Sequence, residues 1–325
     1  MGTPLLISAN YVATILSPLV VAACVAVAYP TYTAAAVAVA LVAWLAHIRA
    51  DGAEFKYGRP DPEFSKTYWA FVRMRAWLKL TLHRTGVVQE ALLKANPTGQ
   101  AVFAFFPHGV NSDFRVLMDG MMYEAFAKTY AESRAVTLAA TVLFQLPGVR
   151  RLSLKTSCVD AGRPTATRCL DAGLSLMLCP GGQDEQIETI YGRERVFLKR
   201  RSGFIRLAII HNVPVVPAYC FGNSDLYYTS RLLHGLRVWL VRHLRIAIPL
   251  YSGGWGLFAY PMPKGFPLPV PNNVVFGDPL SFPQTDDPTR EEVQAAHDTF
   301  IAALTALFEE HKAAFGCASR SLEVL

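Results

Sequence analysis

The hydrophobic pattern of the first fifty residues is nearly continuous. Between Pro4 and Ile48 there is no Asp, Glu, Lys or Arg, and two apolar stretches, 5–28 and 32–46, flank Tyr29-Pro30-Thr31. A bilayer core takes about 20 apolar residues to cross, so the first stretch is long enough and the second only just. The pattern predicts a transmembrane helical hairpin over residues 1–50.

Basic residues follow this apolar region at Arg49, Lys56 and Arg59. Positive charge next to an apolar helix favours the cytosolic side, so the rest of the chain is expected to face the cytosol. A cleaved signal peptide is the alternative, but it needs a basic start that this N-terminus lacks. The hairpin is therefore the favoured interpretation.

Two later segments mix basic residues with aromatic and aliphatic ones. Residues 63–84, within a linking region at 51–98, fit a basic helix that lies in the membrane interface. Residues 229–248 have the same character. An ordinary core helix with inward aromatic residues is the competing interpretation of residues 63–84. The membrane interface is favoured because this segment lies close to the apolar region at the start of the chain.

From residue 99 onward, short apolar runs alternate with segments of helical length. The predicted strands are 101–106, 135–142, 174–179, 213–219 and 273–276, and the predicted helices are 116–130, 164–172 and 202–211. A C-terminal helix is expected near Asp287, with Thr289 and Glu292 at capping-box spacing. The alternation predicts an α/β catalytic domain over residues 99–325 with a mainly parallel sheet.

Composition narrows the classes of function. The chain carries a net charge of +6, and its six cysteines have no pairing or histidine spacing that indicates zinc. No serine-hydrolase elbow, phosphate loop or H-E-x-x-H metal site is present. Nucleic-acid binding is disfavoured because the basic residues alternate with apolar ones. No metal and no cofactor is expected.

The strongest local motif is Phe106-Pro107-His108-Gly109, which directly follows a predicted strand. In open α/β folds, ligands bind at the carboxyl edge of the sheet, where this turn would present His108. Asp113 lies five residues further on, and its carboxylate could accept the other ring N–H and fix the tautomer of the histidine. The pair could deprotonate a hydroxyl that attacks a thioester; the alternative is a histidine that only caps a helix.

Three further motifs lie beyond this turn in the sequence, and two of them follow predicted strands. Pro180-Gly181-Gly182 precedes Glu185, and paired glycines allow their backbone N–H groups to approach a phosphate or an oxyanion. Arg201 begins the segment Arg201-Ser202-Gly203-Phe204 and could bind the phosphates of coenzyme A, whereas Lys199 and Arg200 fit a solvated loop. Asn223 lies in Phe221-Gly222-Asn223 after the next strand.

In this order, the motifs resemble those of the type-2 diacylglycerol acyltransferase family, together with Val216-Pro217, Trp255-Gly256 and Phe276-Gly277-Asp278-Pro279. The resemblance implies an α/β domain like that of glycerolipid acyltransferases and transfer of an acyl group from acyl-CoA to diacylglycerol, with His108 as general base. The candidate catalytic residues are His108 and Asp113. The candidate substrate-binding residues are Phe106, Pro107, Gly109, Pro180, Gly181, Gly182, Glu185, Arg201, Gly203, Phe204 and Asn223.

The resemblance also implies a location at the endoplasmic reticulum membrane or the lipid droplet, with acyl-CoA as co-substrate. Monoacylglycerol, a fatty alcohol and a lysophospholipid remain alternative acceptors. Asp113 favours the lysophospholipid, since the type-2 branch often lacks that acid, whereas Pro180-Gly181-Gly182 favours a neutral acceptor. A lipid-binding or droplet scaffold protein is the non-enzymatic alternative, and self-association stays open.

Overall fold

The computed structural model describes residues 27–48, 51–130, 135–146, 148–244, 247–254 and 266–325. The strands are β1 (Thr81–His83), β2 (Val102–Phe106), β3 (Ala135–Ala139), β4 (Cys158–Asp160), β5 (Ser175–Leu178), β6 (Arg195–Val196), β7 (Val215–Phe221), β8 (Tyr228–Thr229), β9 (Tyr251–Ser252), β10 (Asn273–Phe276) and β11 (Glu323–Val324).

The helices are α1 (Pro30–Ile48), α2 (Pro62–Thr67), α3 (Trp69–Trp77), α4 (Thr85–Ala95), α5 (Asp113–Ala125), α6 (Ala127–Tyr130), α7 (Val142–Gln145), α8 (Val149–Lys155), α9 (Arg163–Asp171), α10 (Gly182–Glu188), α11 (Gly203–Ile210), α12 (His234–Leu244) and α13 (Arg290–His311). Two short 3-10 turns lie at Ala53–Phe55 and Asn223–Asp225.

A mainly parallel sheet forms the centre of the fold. Its seven strands have the order β1-β10-β7-β2-β5-β3-β4. The five strands from β7 to β4 are mutually parallel, whereas β10 pairs antiparallel to β7 and parallel to β1. The predicted mainly parallel α/β domain is therefore what the structure shows, and β2, β5 and β7 lie side by side at its centre.

Strand β2 is buried on both faces, which explains its continuous apolar sequence. Alternate residues point to opposite sides. Val102, Ala104 and Phe106 join the core cluster that includes residues of α9, α11 and α13. Phe103 and Phe105 join the cluster on the other face, which includes residues of α5. Because both faces of β2 are covered by core residues, a ligand can reach this strand only at its ends.

The predicted transmembrane hairpin is wrong. In the described part of the chain, no helix is both long enough and apolar enough to span a membrane. The second apolar stretch forms α1, which has 19 residues, is rich in alanine and begins with Pro30 and two threonines. Trp44 of this helix donates a hydrogen bond through Nε1 to the carbonyl of Gln145, at 2.9 Å. The first stretch lies almost entirely outside the described residues.

The segment predicted as one basic helix over 63–84 forms α2, α3 and β1 instead. The chain leaves helical geometry at Tyr68, which ends α2 with ψ 117°. Leu78, beyond α3, is fully buried, while Trp69 and Trp77 are exposed. The pattern of basic and apolar residues over 63–84 therefore did not reveal that the helix is interrupted at Tyr68, nor that the chain enters the sheet after α3.

The C-terminal helix follows its prediction closely. Thr289 is the N-cap of α13, and its side chain accepts a hydrogen bond from the Glu292 backbone N–H. The Glu292 carboxylate accepts in return from the Thr289 backbone N–H, at 2.8 Å. Both halves of the capping box are therefore formed, and two orphan donors at the start of the helix are satisfied.

Candidate active site

Three predicted motifs meet at one edge of the sheet. The turn at Pro107-His108-Gly109 follows β2, Pro180-Gly181-Gly182 follows β5, and Gly222-Asn223 follows β7. Because these three strands are parallel neighbours, their carboxyl ends lie side by side. Motifs that are more than a hundred residues apart in sequence therefore converge where ligands bind in open α/β sheets.

The ring of His108 is held by a backbone carbonyl. Its Nδ1 lies 3.0 Å from the Gly109 carbonyl oxygen. A carbonyl only accepts hydrogen bonds, so Nδ1 carries the proton and Nε2 keeps its lone pair. Within the described ranges, no hydrogen bond reaches Nε2. Burial lowers the pKa of His108 below its ordinary value, so the ring is neutral at pH 7. A neutral ring with a free Nε2 is suited to act as a base.

Asp113 has a different partner from the one predicted. Its Oδ2 accepts a hydrogen bond from the Tyr227 hydroxyl at 2.7 Å. No hydrogen bond joins Asp113 to His108 in the part of the chain that the structure describes. Burial raises the pKa of Asp113 to about 6, against the hydrogen bond from Tyr227, which lowers it. The Gly109 carbonyl therefore accepts the ring N–H hydrogen bond that was predicted for the Asp113 carboxylate.

The Glu185 carboxylate is hydrogen-bonded to the backbone of the turn that bears His108. One carboxylate oxygen, Oε1, accepts a short hydrogen bond from the His108 backbone N–H, and Oε2 accepts from the Phe197 backbone N–H at 2.8 Å. The Gly109 backbone N–H also interacts with this carboxyl. Burial raises the pKa of Glu185 to about 7, although these N–H groups act to lower it. Glu185 therefore fixes the position of the turn that bears His108.

The glycines of Pro180-Gly181-Gly182 make room for Glu185. A Cβ added at Gly181 would lie 2.1 Å from Glu185 Oε2, and Gly182 has a left-handed φ of +52°. The Gly182 N–H donates to the Cys179 carbonyl at 3.2 Å. This N–H is therefore used within the turn, and the close approach of Glu185 leaves no room for a side chain at position 181. The contact of this motif with a phosphate or an oxyanion stays a prediction.

Asn223 ties the third motif to the first. Its Nδ2 donates a hydrogen bond to the Pro107 carbonyl at 3.0 Å. Gly109 has a φ of +64°, and a Cβ there would lie 2.4 Å from Asn223 Nδ2. The close approach of these two residues requires glycine at position 109.

The sequence of this region matches a known family. Residues 62–324 match the family model described as Diacylglycerol acyltransferase. This chain belongs to the diacylglycerol acyltransferase family. It is therefore an acyltransferase, and both the predicted family and the predicted class of enzyme are confirmed.

Several curated proteins are similar to this family member. Acyl-CoA wax alcohol acyltransferase 2 of Homo sapiens is 27% identical over 273 residues, which cover 78% of this chain and 79% of the relative. Diacylglycerol O-acyltransferase 1 of Eremothecium gossypii is 28% identical over 287 residues, with 82% and 59% covered. 2-acylglycerol O-acyltransferase 1 of Bos taurus is 26% identical over 235 residues, with 68% of each chain covered. The predicted diacylglycerol acceptor, and monoacylglycerol and a fatty alcohol among its predicted alternatives, agree with the activities that these names print.

Several predicted substrate-binding residues of this acyltransferase lie in or near its core. Phe106 is fully buried, and its ring centroid lies 6.1 Å from that of Phe300. Phe204 is 6% exposed and packs on the same ring at 5.1 Å. Gly203 is the first residue of α11, and an added Cβ there would meet nothing within 4 Å. Phe106 and Phe204 therefore pack in the same core cluster, and the assignment of all three residues to substrate stays a prediction.

Arg201 is held by its neighbours in this acyltransferase. Its guanidinium forms an ion pair with Asp184 and lies over the Phe197 ring, 5.8 Å from the centroid. Pro180 is half-buried at the start of the turn after β5. The motif Trp255-Gly256 lies outside the described residues.

The acyltransferase also contains a buried polar cluster that sequence reasoning missed. Glu194 is 1% exposed and accepts hydrogen bonds at 2.8 Å from the Tyr219 hydroxyl, the Ser224 hydroxyl and Arg320 Nη1. Ser224 follows Asn223, so the cluster anchors the third motif turn. No spacing in the sequence indicates this cluster, because Glu194 and Arg320 are 126 residues apart.

Proposed function

We propose that this chain is an acyl-CoA:diacylglycerol O-acyltransferase in which His108 acts as general base. The observation that supports this role is the free Nε2 of a neutral imidazole at the carboxyl edge of the sheet, with Nδ1 bound to the Gly109 carbonyl. The family supports acyl transfer, and the names of the relatives support acyl-CoA as donor.

The proposed chemistry needs no covalent enzyme intermediate. His108 Nε2 removes the proton from the acceptor hydroxyl while the hydroxyl oxygen attacks the thioester carbonyl. The carbon–sulfur bond then breaks, and the imidazolium returns its proton to the departing thiolate. The products are the ester and free coenzyme A. Exclusion of water from the site would favour ester formation over thioester hydrolysis.

A neutral acceptor is favoured by the side chains that hold the His108 turn. Glu185 and Asn223 contact its backbone directly, Ser112 donates to the His108 carbonyl at 2.9 Å, and Gln186 donates to the carbonyl of Val110. None of these side chains is a cation, so none attracts a phosphate. Among the acceptors, this favours diacylglycerol, monoacylglycerol or a fatty alcohol over a lysophospholipid.

The acceptor can be tested by measuring release of coenzyme A from purified protein in lipid micelles. Oleoyl-CoA would be supplied with diacylglycerol, monoacylglycerol, a fatty alcohol or lysophosphatidic acid, and the lipid products separated. We expect the fastest release with diacylglycerol and formation of triacylglycerol. Preference for another acceptor would overturn the assignment, and no release with any acceptor would favour a lipid-binding or scaffold role.

The pH dependence of kcat/KM should follow the protonation of His108. Because its pKa lies below the ordinary value of 6.5, the base stays neutral down to lower pH than a free histidine. We expect the plateau of kcat/KM to extend to lower pH than a base with the ordinary histidine pKa would allow, and kcat/KM to fall as pH decreases through the His108 pKa. Steady-state kinetics across this range would check it.

The control for this profile is Asp113→Asn, since Asp113 has a pKa of about 6 and could produce a similar acid limb. If the limb remains in that variant, Asp113 does not cause it. The Glu185 carboxyl, with a pKa of about 7, is then tested in the same way with Glu185→Gln, and a limb that persists in both variants belongs to His108. If the limb disappears in Asp113→Asn, protonation of Asp113 controls the rate and the assignment of the base is wrong.

A location at the endoplasmic reticulum membrane or the lipid droplet is also a proposal. The first turn and one face of α12 expose Leu236 and Trp239, which are 52% and 49% exposed, and Leu232 and Leu233 just before the helix are exposed too. Exposed leucine and tryptophan beside arginine are typical of helices that lie in a membrane interface. An apolar acceptor would then reach the enzyme without leaving lipid.

This surface can be tested by flotation of the protein with vesicles of phosphatidylcholine and phosphatidylserine. Replacing both Leu236 and Trp239 by Glu should reduce the bound fraction several-fold, since buried apolar area contributes about 25 cal/mol per Å². The matched control is Val87→Glu, an exposed apolar residue on α4. Equal binding of all three proteins would argue against α12 as the lipid contact.

A further inference from the structure

A cleft lies between α10 and α12, beside the active site. Its volume is about 490 Å³, within the usual size of ligand pockets. Asp184 of α10 lines it, and the next residue, Glu185, holds the His108 turn. The wall of the cleft is therefore the same helix that positions the proposed base.

The inner surface of the cleft is apolar, and its edges are basic. Ile187 and Phe197 line one side, and Val238 and Val241 of α12 line the other. Arg200 and Arg242 are exposed and also line the cleft. An apolar floor with guanidinium groups at the edge fits a ligand that joins neutral rings or chains to anionic groups.

Ion pairs account for the other charges of the cleft. Arg201 pairs with Asp184, and Glu188 pairs with Arg195, Arg231 and His234 at 3.2 to 3.5 Å. Over the described ranges, Arg200 and Arg242 form no ion pair. The carboxylates of the cleft are thus already engaged, and its two exposed guanidinium groups can accept an anion from outside.

The two sides of α12 differ in character. Val238 and Val241 face the cleft, whereas Leu236 and Trp239 are exposed on the surface that we propose for lipid contact. The cleft is therefore separate from the proposed lipid surface. This favours a ligand from the aqueous phase over the headgroup of a bilayer lipid.

We propose that Arg200 and Arg242 bind the phosphates of coenzyme A in this cleft, with its neutral parts on Ile187, Val238 and Val241. The proposal rests on the proposed function, because it assigns the donor's anionic end to a site. Guanidinium groups bind phosphate oxygens through paired N–H donors. The thioester would then extend along α10 toward the turn that bears His108.

The test is direct binding of free coenzyme A to the purified full-length chain by isothermal titration calorimetry. The variants are Arg200→Gln and Arg242→Gln. The matched control is Arg163→Gln, which removes an exposed arginine from the start of α9, a helix that packs on β4 and β5. Melting temperatures would confirm that all variants fold.

We expect each cleft variant to weaken binding of coenzyme A by about fivefold and the control to leave it unchanged. Pantetheine, which lacks the phosphates, should bind all four proteins alike, and 3′-dephospho-coenzyme A should show a smaller loss than coenzyme A. Unchanged affinity in both cleft variants, equal losses for pantetheine, or no binding of coenzyme A to the wild type would overturn the proposal.

A lipid source of the phosphate is distinguished by flotation with phosphatidic acid vesicles. Loss of vesicle binding with unchanged affinity for coenzyme A would show that the cleft takes lipid headgroups, and would overturn the proposal. Because calorimetry measures binding without turnover, the proposed coenzyme A site in the cleft and the proposed function can be refuted independently. Arginine-dependent binding without acyl transfer would refute the function alone, whereas normal acyl transfer with unaffected variants would refute the cleft alone.

Discussion

Replacing His108 by Ala should lower kcat/KM for acyl transfer by about a thousandfold, the usual contribution of a positioned general base. The variant loses Nε2, the atom that we propose removes the acceptor proton. Its backbone N–H still donates to Glu185, because that bond does not involve the side chain. The turn should therefore persist, and the loss should appear in activity with little change in melting temperature.

The matched control is His311→Ala. His311 also has its Nδ1 3.0 Å from a backbone carbonyl, that of Leu307, but it lies at the end of α13. We expect this variant to keep wild-type kcat/KM. Full acyl-transfer activity in His108→Ala would sink the proposed mechanism.

Replacing Gly109 by Ala should lower kcat on the order of a hundredfold, the effect of a small misplacement of a catalytic group. The new Cβ would meet Asn223 Nδ2 at 2.4 Å, and the φ of +64° disfavours any L side chain. Either the Asn223 bond to Pro107 breaks or the turn moves. Both results displace the carbonyl that fixes the His108 tautomer.

Gly86→Ala is the control for this substitution. Gly86 lies in α4, and a Cβ there would meet nothing within 4 Å. That variant should keep wild-type activity and gain stability, since alanine favours a helix over glycine by about 1 kcal/mol. Kinetics and thermal unfolding of both variants would be compared. Wild-type kcat in Gly109→Ala would contradict the close packing of the turn.

Much of the central fold could be predicted because its signals are local. The apolar runs that became β2, β5 and β7 are short and bounded by turn residues, and α13 begins with a capping box. The two-residue strands β6, β8, β9 and β11 were missed, since they carry no periodic pattern.

The site was predictable at the level of motifs and not at the level of contacts. His108 and Asp113 lie close in sequence, which suggested a direct pair. The hydroxyl that binds Asp113 comes from Tyr227, 114 residues away, and no spacing rule could reveal it. Similarly, the sequence favoured Arg201 over Arg200 for binding the phosphates of coenzyme A. In the structure, Arg201 forms an ion pair with Asp184, whereas Arg200 is exposed. The predicted hairpin is overturned because no helix of the described residues is both long enough and apolar enough to span a membrane.

The carbonyl contact at His108 has an evolutionary consequence. A main-chain oxygen is present whatever side chain a codon specifies, so no single missense mutation deletes the group that holds the Nδ1 proton. Selection for the correct tautomer would therefore act on the shape of the turn, through Gly109 and its neighbours. The side chain at position 113 would be freer to drift between lineages than it would be if it alone oriented the base.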